Sequence, residues 1–376
     1  MTDSEAANWP HIFSPYRLGA LNLPNRTVVA PMTRISADKD GVPSAQMAIH
    51  YASFARGGFS LIITEGTHPD TTFSQGYRDQ PGIATPAQIE GWRKVTDVVH
   101  EAGGRIVMQL MHAGAMVQDN RYTSETVAPS AVPPVGEMAA RYYGDGPFRV
   151  PREMTRSEIA TAIENFGMAA ANAMKAGFDG VEIHGANGYL PVQFLTPETN
   201  MRTDEYGGSL KNRLRFHREI MAAVVDGVAG RGLAGMRLSQ SRSNDFTYKW
   251  PGGIDEARSI FTAMQEEGAN FLHISTHQGL GEEFGSGLTL AGLARQTTGL
   301  PVIACGNLEV PENAEQILAT GEADLIAMAR GAIGDPSWPN TLARGGEPVP
   351  FDPEMISPFA TLDATETWRA EHGVVF

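Results

Sequence analysis

Apolar residues in this chain occur in short uninterrupted runs rather than in alternation with polar residues. Each run follows a glycine or another small residue, as in RGGFSLIIT, EAGGRIVMQL, KAGFDGVEIH and TGEADLIAM. Glycine suits the C-terminus of a helix because it adopts a left-handed backbone without a Cβ clash. An apolar run without alternation is typical of a strand buried on both faces, as in a parallel sheet covered by helices. The pattern therefore predicts repeated units of a helix followed by a strand.

Eight such runs have the length of a strand. They are predicted at Thr27–Ala30, Ser60–Thr64, Arg105–Leu110, Gly180–Ile183, Ala234–Leu238, Asn270–Ile274, Val302–Ala304 and Asp324–Met328. Helix signals lie between them. Thr85 and Thr155 each begin a capping box, in which two residues three positions apart satisfy each other's backbone N–H groups. Further helices are predicted from Thr155 to about Lys175, over Ser209–Val225, and from Pro311.

Eight strand–helix units in one chain favour an α/β fold of the (β/α)8 TIM-barrel type, which typically needs about 250 residues. We expect a single domain over residues 1–376, with the barrel at about 25–345. Residues 119–151, rich in Pro, Gly and Tyr, are predicted to form an excursion after the third strand, and residues 347–376 a C-terminal tail. An open doubly wound sheet ranks second, because no Gly-x-Gly-x-x-Gly motif follows the first strand.

The active site of a TIM barrel lies at the C-terminal ends of its strands. His184, Asn187 and Tyr189 are predicted there after the fourth strand, and Arg330 after the eighth. Such barrels often bind a phosphate between the last two loops, and a guanidinium is suited to pair with it. The alternatives are a helix C-terminus or a surface carboxylate as the partner of Arg330, and packing or turn roles for the other three side chains.

The predicted rim contains no pair of carboxylates and no lysine. Glu65 stands alone, while His112, His184 and His273 lie on three different strands without an acidic cluster. Zinc, magnesium and Schiff-base chemistry are therefore poorly supported, and we predict no metal site. Hydrogen-bond donors without an obvious nucleophile suit a cofactor that performs the chemistry itself.

The amino-acid composition argues against several classes of binding partner and cofactor. The net charge of −14, from 43 acidic and 29 basic residues, argues against binding to nucleic acid or to anionic membranes. The one cysteine, Cys305, excludes an internal disulfide and a cysteine-ligated iron–sulfur cluster within this chain. The first residues resemble no secretory signal, and no apolar run approaches the roughly 20 residues of a membrane span, so we expect a cytoplasmic protein.

Several longer stretches carry a resemblance to a known family. They are VEIHGANGYLPVQFLTPETNMRTDEYGGSLKNRLRF (181–216), APMTR (30–34), QLMHAG (109–114), APSAV (128–132), PREMT (151–155) and ADLIAMARGAIGDPSWPN (323–340). These stretches, colinear from about Pro15 to Leu342, resemble the old yellow enzyme family of FMN-dependent ene-reductases. The resemblance implies the barrel fold and FMN held across the strand ends, with NADPH or NADH as reductant.

The resemblance also implies which residues bind the cofactor. Thr33 would hydrogen-bond the flavin C4 carbonyl, Gln109 its pyrimidine edge, and Arg237 would face N1 and the C2 carbonyl. A guanidinium there favours the negatively charged reduced flavin. The other implied residues are Pro31 and Met32 along the ring, Gly66 beside it, and Gly306, Asn307, Ala329 and Arg330 at the phosphate. Taken singly, Thr33 is equally a turn cap, Gln109 a core amide and Arg237 part of a buried ion pair.

For catalysis, the resemblance implies that His184 and Asn187 donate hydrogen bonds to a carbonyl or nitro oxygen of the substrate. Two donors stabilise the negative charge that grows on this oxygen. Tyr189 would protonate the α-carbon from the opposite face. Tyr77 and Met111 would line the substrate pocket. Two departures from the family pattern are Asn187, where many members have His, and Pro191, where Ile or Leu is commoner.

The resemblance thus implies an NAD(P)H oxidoreductase that reduces the C=C bond of activated alkenes, such as enones, maleimides and nitroalkenes. The partner would be a small molecule, and the protein a monomer or homodimer without nucleic-acid or membrane partners. The alternatives are a flavin-dependent dehydrogenase or demethylase of the same fold, a non-redox phosphate-binding lyase or isomerase, and a catalytically silent FMN-binding protein.

Overall fold

The computed structural model describes residues 8–374. The strands in this range are β1 (Tyr16–Leu18), β2 (Leu21–Leu23), β3 (Thr27–Val29), β4 (Leu61–Ile63), β5 (Ile106–Leu110), β6 (Val127–Ala128), β7 (Arg152–Glu153), β8 (Gly180–Asn187), β9 (Leu233–Arg242), β10 (Phe271–Ser275), β11 (Val302–Cys305) and β12 (Leu325–Met328). The helices are α1 (Ala45–Arg56), α2 (Pro86–Glu101), α3 (Arg156–Lys175), α4 (Leu190–Leu195), α5 (Leu210–Arg213), α6 (Arg215–Val228), α7 (Gly253–Glu266), α8 (Leu290–Thr298), α9 (Pro311–Ala319), α10 (Arg330–Gly334), α11 (Trp338–Ala343) and α12 (Leu362–His372). Within residues 8–374, no helix is long and apolar enough to cross a membrane.

Eight strands close into a parallel barrel in the order β3-β4-β5-β8-β9-β10-β11-β12, and β12 pairs with β3. The predicted α/β TIM barrel is confirmed, and each predicted strand begins within one residue of an observed one. The fourth and fifth barrel strands are longer than predicted, because β8 continues to Asn187 and β9 to Arg242. His184 and Asn187 therefore lie within β8 rather than in a turn after it.

The predicted helix starts are also present. The side chains of Thr85 and Thr155 accept hydrogen bonds from the third residue of α2 and α3, in complete capping boxes. The helix α3 ends at Lys175, as predicted, and α9 begins at Pro311. The helix predicted over Ser209–Val225 consists of two helices, α5 and α6, which meet at Leu214.

A hairpin that the sequence did not predict closes the N-terminal end of the barrel. Strands β1 and β2 pair antiparallel, and Leu18 and Leu23 are buried against the barrel interior. The inward-facing residues that they join are hydrocarbon: Val28, Leu61, Val107, Leu233, Phe271, Ile303 and Leu325. This end of the barrel is therefore a packed core, and an open site is confined to the other end.

The excursion (119–151) and the C-terminal tail (347–374 in the structure) contact each other. The backbone N–H of Ala360 donates to the carbonyl of Arg141 at 3.0 Å, and the rings of Tyr143 and Phe359 lie 4.1 Å apart. Arg34 anchors the tail to the end of the first barrel strand, because its Nη2 donates to the carbonyl of Thr361 at 2.6 Å. Its second anchor is the hydroxyl of Thr365, also at 2.6 Å.

Gly235 provides a test of the packing inside the barrel. A Cβ at this position would lie 2.4 to 2.6 Å from three ring atoms of Phe271. We expect Gly235→Ala to lower the free energy of unfolding by about 1–3 kcal/mol, the usual cost of overpacking. Adding Phe271→Leu shortens the obstructing side chain, so the double variant should lose less stability than the sum of the single variants. Strictly additive losses in thermal or denaturant unfolding would show that Phe271 is not the obstacle.

Candidate active site

A cavity of about 920 Å³ lies at the C-terminal ends of the barrel strands. Its wall includes most of the residues predicted for the site: Pro31, Met32, Thr33, Gly66, Tyr77, Gln109, Met111, His184, Asn187, Tyr189, Arg237, Ala329 and Arg330. Gly306 and Asn307 are not part of this wall. The fold thus brings together residues from six barrel strands and the loops that follow them.

His184 is a buried, neutral histidine at this rim. Burial lowers the pKa of His184 well below its ordinary value, and the positive charges of Arg237 and His273 act in the same direction. Its Nδ1 is buried and makes no hydrogen bond to any residue of 8–374. A neutral imidazole donates one hydrogen bond and accepts another, so His184 is able to act as a donor without carrying charge.

Asn187 occupies a strained position at the end of β8. Its φ is +61°, a left-handed conformation that asparagine tolerates better than most residues. The pairing of β8 with β9 is irregular between Gly185 and Asn187, as in a β-bulge, which re-aims a side chain. The backbone N–H of Asn187 donates to the Ser239 hydroxyl at 3.0 Å, and its carbonyl accepts from the Ser243 hydroxyl at 2.9 Å. These bonds hold the backbone and leave the side-chain amide available to the cavity.

Tyr189 is the N-cap residue of the short helix α4. Pro191 lies in the first turn of this helix, where its missing N–H removes no helical hydrogen bond. Gln193 fastens the same segment, because its Nε2 donates to the carbonyl of Gly188 at 2.8 Å and its Oε1 accepts from the N–H of Ala115 at 3.0 Å. The Tyr189 ring, whose centroid is 4.7 Å from that of His184, is thereby held at the cavity wall.

The hydroxyls of Tyr189 and Tyr77 are hydrogen-bonded to each other. Burial raises the pKa of Tyr189 to about 12, and it raises the pKa of Tyr77 well above its ordinary value. Either hydroxyl is able to donate in this bond. Tyr142, from the excursion, packs edge-on against Tyr77 with ring centroids 4.9 Å apart. Both phenols of the pair are therefore protonated at neutral pH.

A buried carboxylate joins the ends of the first two barrel strands. Glu65 accepts from the backbone N–H of Arg34 at 3.0 Å and from the Tyr51 hydroxyl at 3.3 Å. These bonds keep the residues after β3 beside those after β4. The glycine at position 66 is explained by packing, since a Cβ there would lie 2.6 Å from Sδ of Met111.

Arg237, on β9, supplies a buried cation at the same rim. Its Nη2 donates to the Ser275 hydroxyl at 3.1 Å, whereas its Nε is buried without a hydrogen bond to any residue of 8–374. Buried polar groups in proteins are almost always hydrogen-bonded, so unpaired donors beside a cavity indicate a ligand that satisfies them. The unpaired Nε of Arg237 fits a cofactor rich in carbonyl oxygens, such as FMN, and His184 keeps an unpaired nitrogen for a second ligand.

The residues expected at the phosphate are divided between the cavity wall and a neighbouring turn. Gly306 has a φ of +138°, and a Cβ there would lie 2.3 Å from the Thr276 carbonyl oxygen, so the turn after β11 requires glycine. Asn307 follows with a φ of +56°. The side chain of Arg330 is 66% exposed at the start of α10, and it lies 3.8 Å from Glu309. The alternative partner considered for Arg330, a surface carboxylate, is therefore present.

The excursion was expected to border the pocket, whereas the part that the tail plays in the cavity was missed. The excursion contributes Glu137, Arg141, Tyr142 and Phe148, and the tail contributes Phe351, Pro353, Ile356 and Pro358. The aromatic and proline-rich composition of both segments was the only available signal. Among residues 8–374, no group of three or more His, Cys, Asp or Glu side chains is arranged to hold a metal ion.

Comparison with known proteins gives consistent matches. The sequence matches the NADH:flavin oxidoreductase / NADH oxidase family over residues 11–347. A flavin oxidoreductase, hxnT, of Emericella nidulans is 36% identical over 368 residues, which cover 91% of this chain and 92% of that protein. 12-oxophytodienoate reductase 2 of Arabidopsis thaliana is 34% identical over 348 residues, 90% of each chain. The structure of morphinone reductase in complex with tetrahydroNAD has a TM-score of 0.82 at 34% identity, covering 92% of this chain and 94% of that one.

Glu65 provides a test of the electrostatics at this rim. Burial raises the pKa of Glu65 to about 7 from an ordinary value of 4.5. Between these values the folded protein holds a proton that the unfolded chain has released, so the free energy of unfolding falls as pH rises, by up to about 1.4 kcal/mol per pH unit. Glu65→Gln removes this dependence, and its Tm relative to the wild type should increase between about pH 5 and pH 7.5. A constant difference across that range would contradict the raised pKa.

Proposed function

The chain belongs to the NADH:flavin oxidoreductase / NADH oxidase family, and we propose that it reduces the C=C bond of activated alkenes such as enones, maleimides and nitroalkenes. It is an FMN-dependent NAD(P)H oxidoreductase with a TIM-barrel fold. The observation that carries the proposal is the arrangement on and after β8. Two side chains with unused donors, His184 and Asn187, stand beside the protonated hydroxyl of Tyr189 in one cavity.

Bound FMN would supply hydride chemistry at this site, with the nicotinamide as the source of the hydride and the β-carbon of the alkene as its destination. The residues proposed to hold FMN lie on the barrel strands and loops: Pro31, Met32, Thr33, Gly66, Gln109, Arg237, Gly306, Asn307, Ala329 and Arg330. Arg237 contributes a permanent positive charge at the polar end of the ring, where it favours negative charge. Pro31 and Met32 would pack along the ring, and Arg330 is suited to a bidentate pair with the phosphate.

His184 and Asn187 are proposed to bind the carbonyl or nitro oxygen of the substrate. Negative charge grows on this oxygen as hydride reaches the β-carbon, and two donors aimed at it stabilise that charge. His184 is buried, so a hydrogen bond from it is stronger than in solution. Because His184 is neutral, it donates an N–H without losing a proton to the substrate.

Tyr189 is proposed to complete the reaction by moving its hydroxyl proton to the α-carbon. A phenol is suited to this general-acid role because it is protonated at neutral pH and its burial keeps it so. The phenolate left on Tyr189 is stabilised by the hydrogen bond from Tyr77, since a bond to an ionised acceptor is stronger than one to a neutral acceptor. Tyr77 and Met111 also contribute to the substrate pocket in this proposal.

The names of two similar proteins support a small substrate with a carbonyl group. They are named as reductases of 12-oxophytodienoate and of morphinone, and both words denote ketones. The non-redox lyase or isomerase considered from the sequence does not agree with the family. A dehydrogenase or demethylase that runs the flavin in the opposite direction uses the same residues, and no observation on this chain favours it.

The first test removes both proposed oxygen donors. We expect the double variant His184→Ala, Asn187→Ala to bind FMN and to be reduced by NADPH or NADH. Its reoxidation by 2-cyclohexenone should slow by at least about 100-fold, the scale of losing oxyanion donors. Stopped-flow absorbance of the flavin measures both half-reactions. Reoxidation by ferricyanide, which needs no activated carbonyl, serves as the control and should change little. An unchanged rate with 2-cyclohexenone, or an equal loss with ferricyanide, would sink the proposed role.

The second test separates the two tyrosines. We expect Tyr189→Phe to slow reoxidation by 2-cyclohexenone by about 10²–10⁴-fold, because the general acid is lost. Tyr77→Phe should cost only about tenfold, because it removes one hydrogen bond to the phenolate and keeps the acid. Single-turnover rates with a solvent isotope effect measure both. A larger loss in Tyr77→Phe than in Tyr189→Phe would reverse the assignment of the proton donor.

A further inference from the structure

At the floor of the cavity, the barrel interior contains a layer of polar side chains, of which only Gln109 has a part in the proposed FMN site. Glu182 and His273 are completely buried, and Gln109 is almost completely so. They lie on β8, β10 and β5, and His273 is next to Arg237 in the register of β10 with β9. We refer to Gln109, Glu182 and His273 as the polar layer. The residues farther from the cavity are hydrocarbon, so Glu182 and His273, which are fully buried and do not line the cavity, are shielded from bulk water.

Glu182 is the acceptor at the centre of the polar layer. One carboxylate oxygen accepts from Nε2 of Gln109 at 2.7 Å, and the other lies 2.8 Å from Nδ1 of His273. A protonated His273 carries a hydrogen on Nδ1 and donates it to this second oxygen. Because the Gln109 amide donates through Nε2, its Oε1 is the atom left to accept from a ligand in the cavity.

The charge on His273 depends on Glu182. Burial alone would lower the pKa of His273, but the charge of Glu182, assisted by the nearby Cys305 thiol, raises it above its ordinary value. Arg237 opposes this protonation, because it is a second cation at the same level of the barrel. Glu182 thus supplies the negative charge that favours a protonated His273 next to Arg237, which lines the cavity.

We propose that Glu182 and His273 form a buried ion pair that orients Gln109 and balances charge beneath the flavin, so that it sets the reduction potential of bound FMN. The inference rests on the FMN site described above. Both residues are positioning residues, since neither touches the substrate in this scheme. The negative charge of reduced flavin is favoured by Arg237 and disfavoured by an unpaired Glu182. Pairing with His273 therefore keeps the carboxylate from cancelling the effect of Arg237.

The experiment measures the two-electron reduction potential of bound FMN at about pH 6, below the raised pKa of His273, by equilibrium titration with a reference dye. His273→Gln and His273→Asn each remove the cation and keep an amide donor for Glu182, so the test does not depend on the folding of one variant. We expect both to shift the reduction equilibrium at least tenfold towards oxidised FMN, which is about 30 mV. The reason is that the carboxylate of Glu182, left without a cationic partner, disfavours the negative charge of reduced flavin.

The complementary variant is Glu182→Gln. Without the anion, His273 should lose its proton because burial and Arg237 both oppose its charge. The net charge of the polar layer is then unchanged. The equilibrium constant for reduction of bound FMN should therefore stay within about threefold of the wild-type value. The double variant Glu182→Gln, His273→Gln should likewise return to that range. Such a return distinguishes a charge pair from two independent structural residues, whose effects would add.

His217 provides a matched control. It is also a completely buried histidine, but it lies on the outer helix α6, and burial lowers its pKa to about 3. His217→Gln should leave the potential unchanged. The ion-pair proposal would be overturned if His273→Gln and His273→Asn both left the reduction potential unchanged. It would also be overturned if the potential of the double variant Glu182→Gln, His273→Gln were shifted as far as that of His273→Gln. A wild-type protein that binds no FMN would instead contradict the proposed function, so the two failures are distinguishable.

Discussion

Eight parallel strands that close on one another leave no exposed sheet face, so each inward side chain must pack, pair or reach the open rim. All three arrangements of inward side chains occur in this barrel. Hydrocarbon side chains around Phe271 fill the end closed by the hairpin. Above them, Glu182 pairs with Gln109 and His273. At the rim, His184 and Arg237 keep donors that no residue of 8–374 satisfies. Polarity rises towards the end where a parallel barrel places its active site.

The cover over that rim depends on the same strand ends. Arg34 follows Thr33 and holds the tail through Thr361 and Thr365. Its backbone N–H is held in turn by Glu65, the residue before Gly66. A change at Glu65 or Arg34 would therefore act on the cavity wall and on its cover together. The tail and the excursion are linked to each other as well, so neither closes the cavity independently.

The barrel was predictable from sequence because a strand buried on both faces has a local signature. Features that depend on contacts between residues far apart in the sequence have no local signature. The extension of β8 to Asn187 passes through glycine and polar residues, and it exists because β9 pairs with it. The polar layer was also missed, because single polar residues in apolar runs meet only after the barrel closes; Glu182 and His273 are 91 positions apart. The rim residues were predictable once the barrel was predicted, because they follow the ends of its strands. The excursion and the tail carry no periodic pattern from which their position could be predicted.

The strand ends carry the proposed chemistry, whereas the excursion and the tail are placed to affect the choice of substrate. Hydrogen-bond donors such as His184 and Asn187 act on any carbonyl or nitro oxygen of suitable position, so they discriminate weakly among activated alkenes. Discrimination between substrates of similar reactivity requires differences in the pocket that contacts the rest of the molecule. In this cavity the wall outside the strand ends comes from the excursion, through Tyr142 and Phe148, and from the tail, through Phe351. Since loops vary without disturbing the barrel, substrate preference is able to change while the rim keeps its chemistry.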